Sequence, residues 1–210
     1  ALDQMVQIAR MKGLEGICVT DHDSMGLKEY AAEYSKDTGL PIFVGIEYYS
    51  LQGDIVAFGI EDYPTERIPA QDFIDLVNAQ GGVCFAAHPF RNNNRGLEEN
   101  LRKVKGLHGL EVLNGSTSVE ACQKAARYAL ELGLFTLGSS DCHVPEKVGV
   151  CATYFPERFH TMEGFLDAFR KGQMKPAYYA GGKYHVLELK EQQKSKIPFT
   201  FYAFNDRMYL

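Results

Sequence analysis

The sequence contains no run of 18 consecutive apolar residues and no signal-like start, so we expect no membrane-spanning segment and no membrane partner. It also lacks an excess of positive charge, because 22 lysines and arginines face 27 aspartates and glutamates, for a net charge of -5. This balance argues against a surface that binds nucleic acid or anionic lipid in general, although it does not exclude a local basic pocket.

Cysteine pairs with C-x-x-C spacing are absent as well. The cysteines are odd in number, and several lie inside apolar runs typical of strands. These features indicate buried free thiols in a reducing compartment, and we therefore expect a cytoplasmic protein. The five are Cys18, Cys84, Cys122, Cys142 and Cys151.

Neither internal repeats nor a low-complexity linker divides the chain. Its 210 residues, 45% hydrophobic and 23% charged, are typical of a globular protein with a sizeable core, in one large domain or two small ones. The end of the chain differs, because residues 187–196 are charged and residues 199–204 are rich in aromatics. We predict a main domain over 1–180 and a C-terminal appendage over 181–210, which forms a hairpin or an oligomer contact.

Short apolar runs with β-branched residues alternate with segments of helical periodicity along the chain. This alternation predicts an α/β fold with parallel strands. The predicted strands are 16–20, 42–46, 54–60, 83–87, 109–113, 135–139 and 150–155, and the predicted helices are one between Asp3 and Gly13 and those at 27–38, 72–80, 97–105, 119–132 and 163–171.

Acids, histidines and an asparagine stand where these strands should end. In barrels and in open parallel sheets, chemistry gathers at the carboxyl ends of strands. A barrel brings all such ends around one mouth, whereas an open sheet spreads them along a crevice, so we favour a barrel-like arrangement. The residues concerned are His22, Glu47, His88, Asn114, Asp141 and His143.

The segment S-S-D-C-H at 139–143 carries the most specific of these signals. Asp141 and His143 are two residues apart, so on an extended strand end their side chains project to the same side. A carboxylate and an imidazole on one face can hold or neighbour a metal ion. The alternative for an isolated D-x-H is a capping aspartate beside a surface histidine.

Five short motifs occur in an order that resembles the polymerase and histidinol phosphatase (PHP) family. The resemblance covers about residues 2–155. It implies a distorted (β/α)7 barrel of metal-dependent phosphoesterases, a TIM-like barrel with two or three divalent ions of Mn, Fe or Zn. The motifs are T-D-H-D (20–23), G-I-E (45–47), A-H-P (87–89), E-V-L-N (111–114) and S-D-C-H (140–143).

The resemblance also implies a set of site residues. It implies that Glu47 bridges two ions and that Glu47, Asp141 and His143 are catalytic. The implied metal ligands are His22, Glu47, His88, Asp141 and His143.

The chain departs from the family pattern in its first ligands. Family members usually begin with a strand bearing H-x-H, and no such motif precedes His22. Either that strand was lost from the sequence, which the abrupt first helix favours, or this is a pared-down homologue.

The second departure concerns Asp54, which aligns where many relatives place a ligand histidine. A carboxylate there suits Mn or Fe better than Zn, and we include Asp54 among the candidate ligands. The alternative is a turn residue after Gly53.

Further polar residues surround the implied ligands. Arg91 can hold a substrate phosphate in a bidentate fork or lie on the solvated surface, and Asn114 can orient substrate or make a turn. Asp21 and Asp23 flank His22, where one can orient the imidazole, while Asp23 can instead cap the following helix. His108, His160 and His185 have no partners in the sequence and are not candidate ligands.

The chemistry expected is hydrolysis of a small phosphate ester (a phosphomonoester, nucleotide or short oligonucleotide) by a metal-activated water. The acidic charge makes long nucleic acid a less favoured substrate, and the aromatic C-terminus suggests a homo-oligomer. One alternative is a degenerate PHP module that binds a ligand or partner without turnover, motivated by the missing H-x-H. A barrel hydrolase acting on amides would show a catalytic lysine or a further histidine pair, which the sequence lacks.

Overall fold

The computed structural model describes residues 2–189, 200–203 and 208–209. Five α-helices, two short 3-10 helices (Glu98–Arg102 and Pro145–Lys147) and eleven strands lie within these residues. The helices are α1 (Leu2–Met11), α2 (Lys28–Thr38), α3 (Ala70–Ala79), α4 (Val119–Leu132) and α5 (Met162–Arg170). The strands are β1 (Leu14–His22), β2 (Ile42–Tyr49), β3 (Asp54–Phe58), β4 (Val83–Ala86), β5 (Gly109–Asn114), β6 (Phe135–Ser139), β7 (Cys151–Tyr154), β8 (Lys175–Ala180), β9 (Lys183–Glu188), β10 (Thr200–Ala203) and β11 (Met208–Tyr209).

The described strands form one sheet of mixed direction, in the order β10-β9-β8-β7-β11-β1-β2-β3-β4-β5-β6. β1 and β2 are parallel, and so are β4, β5 and β6, but β3 is antiparallel to both of its neighbours. The α/β class is confirmed, whereas the expectation of parallel strands is wrong for β3 and β7. The strands β8 to β10, which were not predicted, are antiparallel as well. The link 50–53 between β2 and β3 is a tight turn, while a parallel crossover needs a dozen residues or more.

The sheet curls so that β6 approaches β7 without a strand ladder between them. The Gly138 N–H donates to Thr153 Oγ1 at 3.1 Å, and the Thr153 hydroxyl donates to the Gly138 carbonyl at 2.7 Å. Ser140 Oγ donates to the Cys151 carbonyl at 2.5 Å. A Cβ on Gly138 would collide with the carbonyl oxygen of Ala152, so only glycine permits this approach. The result is a curled half-barrel, and a complete seven-stranded barrel with a missing first strand is not confirmed.

The two faces of the curled sheet pack against different helices because strand side chains alternate. On one face, Ile46, Tyr48 and Ala57 pack against α3 and α4, and Tyr48 stacks on Phe73 at 4.1 Å. On the other face, Phe43 and Phe58 join an aromatic cluster with α5. This arrangement fixes the sheet on both sides and leaves the carboxyl ends of β1 and β2 open.

The strands β1 and β2, which carry His22 and Glu47, are longer than predicted. β1 runs to His22 and β2 runs past Glu47, so the side chains of His22 and Glu47 belong to the ends of these strands rather than to the loops that follow them. The predicted helix at 97–105 forms only a 3-10 helix over Glu98–Arg102.

The predicted boundary between 180 and 181 falls at the turn of the β8–β9 hairpin, where Ala180 pairs with Lys183. Tyr184 and Val186 of β9 pack into the core beside α1. The predicted hairpin or oligomer contact rests partly on residues 190–199, 204–207 and 210, which lie outside the described residues. The division into a main domain and an appendage stays a prediction.

Candidate metal centre

The pairing of strands β1 to β4 brings four of the predicted ligands together. His22 and Glu47 are register partners at the ends of the parallel strands β1 and β2. Asp54 opens β3, and because β3 is antiparallel, its first residue lies beside the end of β2, opposite Tyr49. The Ala87 N–H donates to the Asp54 carbonyl, which places His88 next to Asp54.

Glu47, Asp54 and His88 form a buried cluster that could hold a metal ion. His88 Nε2 lies 2.9 Å from Glu47 Oε1 and 3.6 Å from Asp54 Oδ2. One ligand atom from each residue lies within 4.8 Å of the others. All three side chains are buried, and the Asp54 side chain is 0% exposed. Two carboxylates and an imidazole are donors that suit Mn, Fe or Zn, so this set fits a divalent cation.

The other three predicted ligands border the same centre. His22 Nδ1 lies 3.5 Å from Glu47 Oε2, and His143 Nδ1 lies 3.5 Å from Asp141 Oδ1. The rings of His22 and His143 are 6.2 Å apart. Asp141 has a φ of 45°, in the left-handed region, so its side chain leaves the end of β6 with a backbone strained for a non-glycine residue.

Four of the predicted ligands line one side of a cavity of about 490 Å³, namely His22, Glu47, Asp141 and His143. Glu47, Asp141 and His143 line its polar part, whereas aromatic side chains such as Phe58 and Phe155 line the remainder. The cavity therefore joins a charged site to an apolar interior.

Two arginines from the loop after β4 already contact the centre. Arg91 donates to Asn114 Oδ1 at 2.7 Å, to Thr117 Oγ1 at 3.1 Å and to Asp141. Arg95 donates from Nε and Nη2 to the two oxygens of Asp54, both at 2.7 Å. The sequence suggested a role for Arg91 but did not indicate the Arg95 contact.

Sequence reasoning also missed Glu111, whose carboxylate is buried beside the centre. Its Oε2 accepts the backbone N–H of His88 at 2.8 Å and the side-chain amide of Asn114 at 3.0 Å. The first bond holds His88 at a φ of 27°, which is strained for a non-glycine residue. An acid inside the apolar strand G-L-E-V-L-N was the signal that could have identified it.

The buried groups differ in how strongly they hold charge. Burial raises the pKa of Asp54, and the hydrogen bonds and charge of Arg95 offset only part of that rise. Burial acts to lower the pKa of His88, but the hydrogen bond to Glu47 and the charge of Glu111 outweigh it and leave the pKa raised. A divalent cation here would relieve the cost of burying several carboxylates together.

The pKa of Asp141 shifts in the opposite direction to that of Asp54. Its burial acts to raise the pKa, but the hydrogen bond and charge of Arg91 outweigh the burial, so the pKa lies below its ordinary value. Asp141 is therefore held as a carboxylate, ready to accept hydrogen bonds or ligate a cation.

The remaining predicted residues have structural roles or lie elsewhere. Asp23 accepts the Tyr49 N–H at 2.9 Å, and Leu27 holds the N-cap position of α2, so the alternative of Asp23 as a helix cap is wrong. His108 accepts the Cys84 N–H, and His185 stacks on Tyr178. All five cysteines are free, and three of them are buried.

The sequence of this chain is similar to those of known proteins. Residues 119–174 match the PHP-associated family. An uncharacterized protein of Methanocaldococcus jannaschii is 24% identical over 110 residues, which cover 52% of this chain and 64% of that protein. The matched region thus spans less than two thirds of that relative.

Three solved structures have a similar fold. A candidate metal-dependent phosphoesterase from Bifidobacterium adolescentis has a TM-score of 0.58 and 19% identity, covering 67% of this chain and 82% of that one. PsfC from Pseudomonas syringae has a TM-score of 0.66 and 19% identity, covering 87% and 84%. The lesion-specific endonuclease EndoQ from Pyrococcus furiosus has a TM-score of 0.59 and 16% identity, covering 82% and 52%.

The match to the PHP-associated family confirms the resemblance to the PHP family. At such identities the solved structures show the fold alone. None of the helices within the described residues is long and apolar enough to cross a bilayer.

Proposed function

We propose that this protein is a metal-dependent phosphoesterase that hydrolyses a small phosphate ester. The observation that carries the proposal is the buried Glu47–Asp54–His88 cluster. Its Glu47 lies 3.5 Å from His22 and lines one cavity together with His22 and the Asp141–His143 pair. The similarity to a candidate metal-dependent phosphoesterase and to an endonuclease supports the same class of reaction.

The ligand types support a centre of two or three divalent ions of Mn, Fe or Zn. Glu47 faces His88 with one carboxylate oxygen and His22 with the other, so it is suited to bridge two ions. Asp141 and His143 supply a further carboxylate and imidazole. When bound, such ions supply an activated water and compensate the charge that develops on phosphate oxygens.

The protein groups around the centre have separate roles in this proposal. The Nδ1 of His143 faces Asp141, so the carboxylate can orient the ring. Asn114 donates its amide to both Glu111 and Asp141, so in this proposal it positions these two carboxylates beside the substrate. A cavity of about 490 Å³ suits a small ester, because typical small-molecule pockets have about 300–1,000 Å³.

A second candidate is a module that binds a ligand or partner without turnover. Its support is that Arg91 and Arg95 already donate hydrogen bonds to Asp141 and Asp54, which are candidate metal ligands. In that case the carboxylates form structural ion pairs rather than ligate ions.

Metal stoichiometry by elemental mass spectrometry, on protein purified without chelator, separates these candidates. We expect two or more ions of Mn, Fe or Zn per chain, together with metal-dependent release of phosphate from a panel of phosphomonoesters, nucleotides and short oligonucleotides. A content near zero with no hydrolysis after reconstitution would favour the binding module.

Replacing Arg91 with alanine should mainly raise KM for a phosphate ester. A guanidinium that grips the phosphate equally in the ground and transition states contributes to binding rather than to kcat. Steady-state kinetics at saturating metal measure the two constants, and Arg127→Ala, at a different site on α4, is the control. Unchanged KM and kcat would leave Arg91 as a structural partner of Asp141.

A further inference from the structure

We propose that Arg95 is the built-in counter-cation of the metal centre, which neutralises Asp54 in the metal-free protein and is displaced when an ion binds. The inference rests on the proposed ligation of an ion by Glu47, Asp54 and His88. It adds a competitor within the chain that sets the affinity of the centre for metal.

The contact between Arg95 and Asp54 is a bidentate ion pair inside the cluster. Nε donates to Oδ2 and Nη2 to Oδ1, both at 2.7 Å, so the fork covers both oxygens of the carboxylate. Oδ2 is also the oxygen that faces His88 Nε2, at 3.6 Å. An ion held by Asp54 and His88 would therefore compete with the guanidinium for Asp54 Oδ2.

The same guanidinium also reaches a second candidate ligand. Nη2 of Arg95 lies 3.4 Å from His22 Nδ1, the nitrogen that faces Glu47 at 3.5 Å. The positive charge thus stands between His22 and Asp54, on the side of the centre where a cation would bind. Two cations at this distance repel each other, and the repulsion is weakly screened because Asp54 is completely buried.

The Arg95 side chain lies at the mouth of the site on a fixed backbone. Its backbone is fixed, because the Asp54 N–H donates to the Arg95 carbonyl at 2.7 Å and the Arg95 N–H donates to Asn93 Oδ1. Its side chain is 30% exposed and lies over the Tyr49 ring, 4.3 Å from the centroid. Displacement therefore needs only a side-chain rotation at the mouth of the site, with the loop in place.

Arg67 provides a matched control on the same aromatic ring. Its guanidinium lies 3.8 Å from the Tyr49 centroid, on an exposed residue. Within the described residues it makes no ion pair with Asp54. Arg67 and Arg95 thus share the cation–π contact and differ in the contact with the carboxylate.

The test compares Arg95→Gln and Arg67→Gln by calorimetric titration of the metal-free proteins with Mn²⁺ and with Zn²⁺. Arg95→Gln should bind metal about 5- to 150-fold more tightly than wild type, the usual range of coupling between sites. Arg67→Gln should stay within about twofold, because Arg67 is exposed and, within the described residues, makes no ion pair with Asp54. The metal-free Arg95→Gln protein should also unfold at a temperature lower by roughly 5–10 °C, since Asp54 loses its partner, and metal should restore the difference.

The assignment to Asp54 is tested by the Asp54→Asn background. There, Arg95→Gln should change the metal Kd by much less than it does with Asp54 present, because no carboxylate remains at position 54 for which the two cations compete. Arg95→Lys, which retains a charge but not the planar fork, should show a Kd between those of wild type and Arg95→Gln. It is also the variant to use if Arg95→Gln does not fold.

The outcomes separate this inference from the proposed function. If wild type binds metal and Arg95→Gln binds it equally or more weakly, the counter-cation role is wrong and the proposed metal site stands. If Arg95→Gln binds metal and wild type does not, the role is supported in its strongest form. If neither binds, the metal site and the inference fail together.

Discussion

Replacing His88 with alanine is expected to abolish metal-dependent phosphate release and to weaken metal binding by more than about 100-fold. His88 is the only imidazole of the buried cluster, and its Nε2 contacts both carboxylates. Loss of a group that merely orients a ligand already costs about 10–100-fold, so loss of a ligand should cost more. Without the imidazole, Glu47 and Asp54 would face each other with only Arg95 to balance their charge.

Two measurements check this expectation, namely metal content after dialysis and phosphate release at saturating metal. The matched control is His160→Ala, because His160 is exposed and lies outside the cavity lining. Circular dichroism should show that the fold is retained, since the helices and strands are held by three separate hydrophobic clusters. Wild-type metal content and activity in His88→Ala would remove the proposed centre.

Asp141→Ala should also abolish phosphate release, for a different reason. Asp141 is held ionised by Arg91 and faces His143, so its loss frees the guanidinium and removes the group that orients the imidazole. Asn114 would lose one of its acceptors as well. We expect a fall in kcat of at least about 100-fold, with a much smaller change in the stability of the fold because the residue lies in the loop after β6.

The effect on kcat separates a catalytic role for Asp141 from a merely structural one. Asp141→Asn keeps an oxygen that can accept from Arg91 but removes the charge, so it should also lose activity while unfolding at nearly the wild-type temperature. Asp167→Ala, on the exposed face of α5, controls for the loss of a surface ion pair. Full activity of Asp141→Asn would show that the carboxylate charge at this position is not required.

The arginine contacts connect these predictions with each other. Arg91 and Arg95 lie four residues apart on one loop, and they donate to Asp141 and Asp54, respectively. If the proposed metal and substrate sites are correct, we expect metal loading and substrate binding to be coupled through this short segment of chain. A variant of either arginine should be characterised in both its metal-free and its metal-loaded form.

The sequence alone determined the order and approximate bounds of most elements. Helix α4 spans Val119–Leu132 as predicted, because Ser118 caps its start and Gly133, with a φ of 67°, ends it. The strands at 42–46, 83–87 and 135–139 were recognisable as short apolar runs between turn residues. Such signals are local, so they can be read without knowing what the segment contacts.

The sequence also indicated which side chains meet at the candidate site, through the motifs at strand ends. His22, Glu47, His88 and Asp141 do lie around one centre. Their roles as ligands stay a prediction. Parallel strands place their carboxyl ends at one edge, which is why this inference was within reach of the sequence.

Only the tertiary structure decided the direction of β3, the curl of the sheet and the charges around the centre. Asp54 reaches the site because β3 runs antiparallel, and it meets Arg95, which is 41 residues away in sequence. The Glu111 carboxylate accepts a hydrogen bond from the backbone N–H of His88, which is 23 residues away in sequence. No local pattern encodes such contacts, because they depend on how the sheet curls and on which loop then lies over its edge.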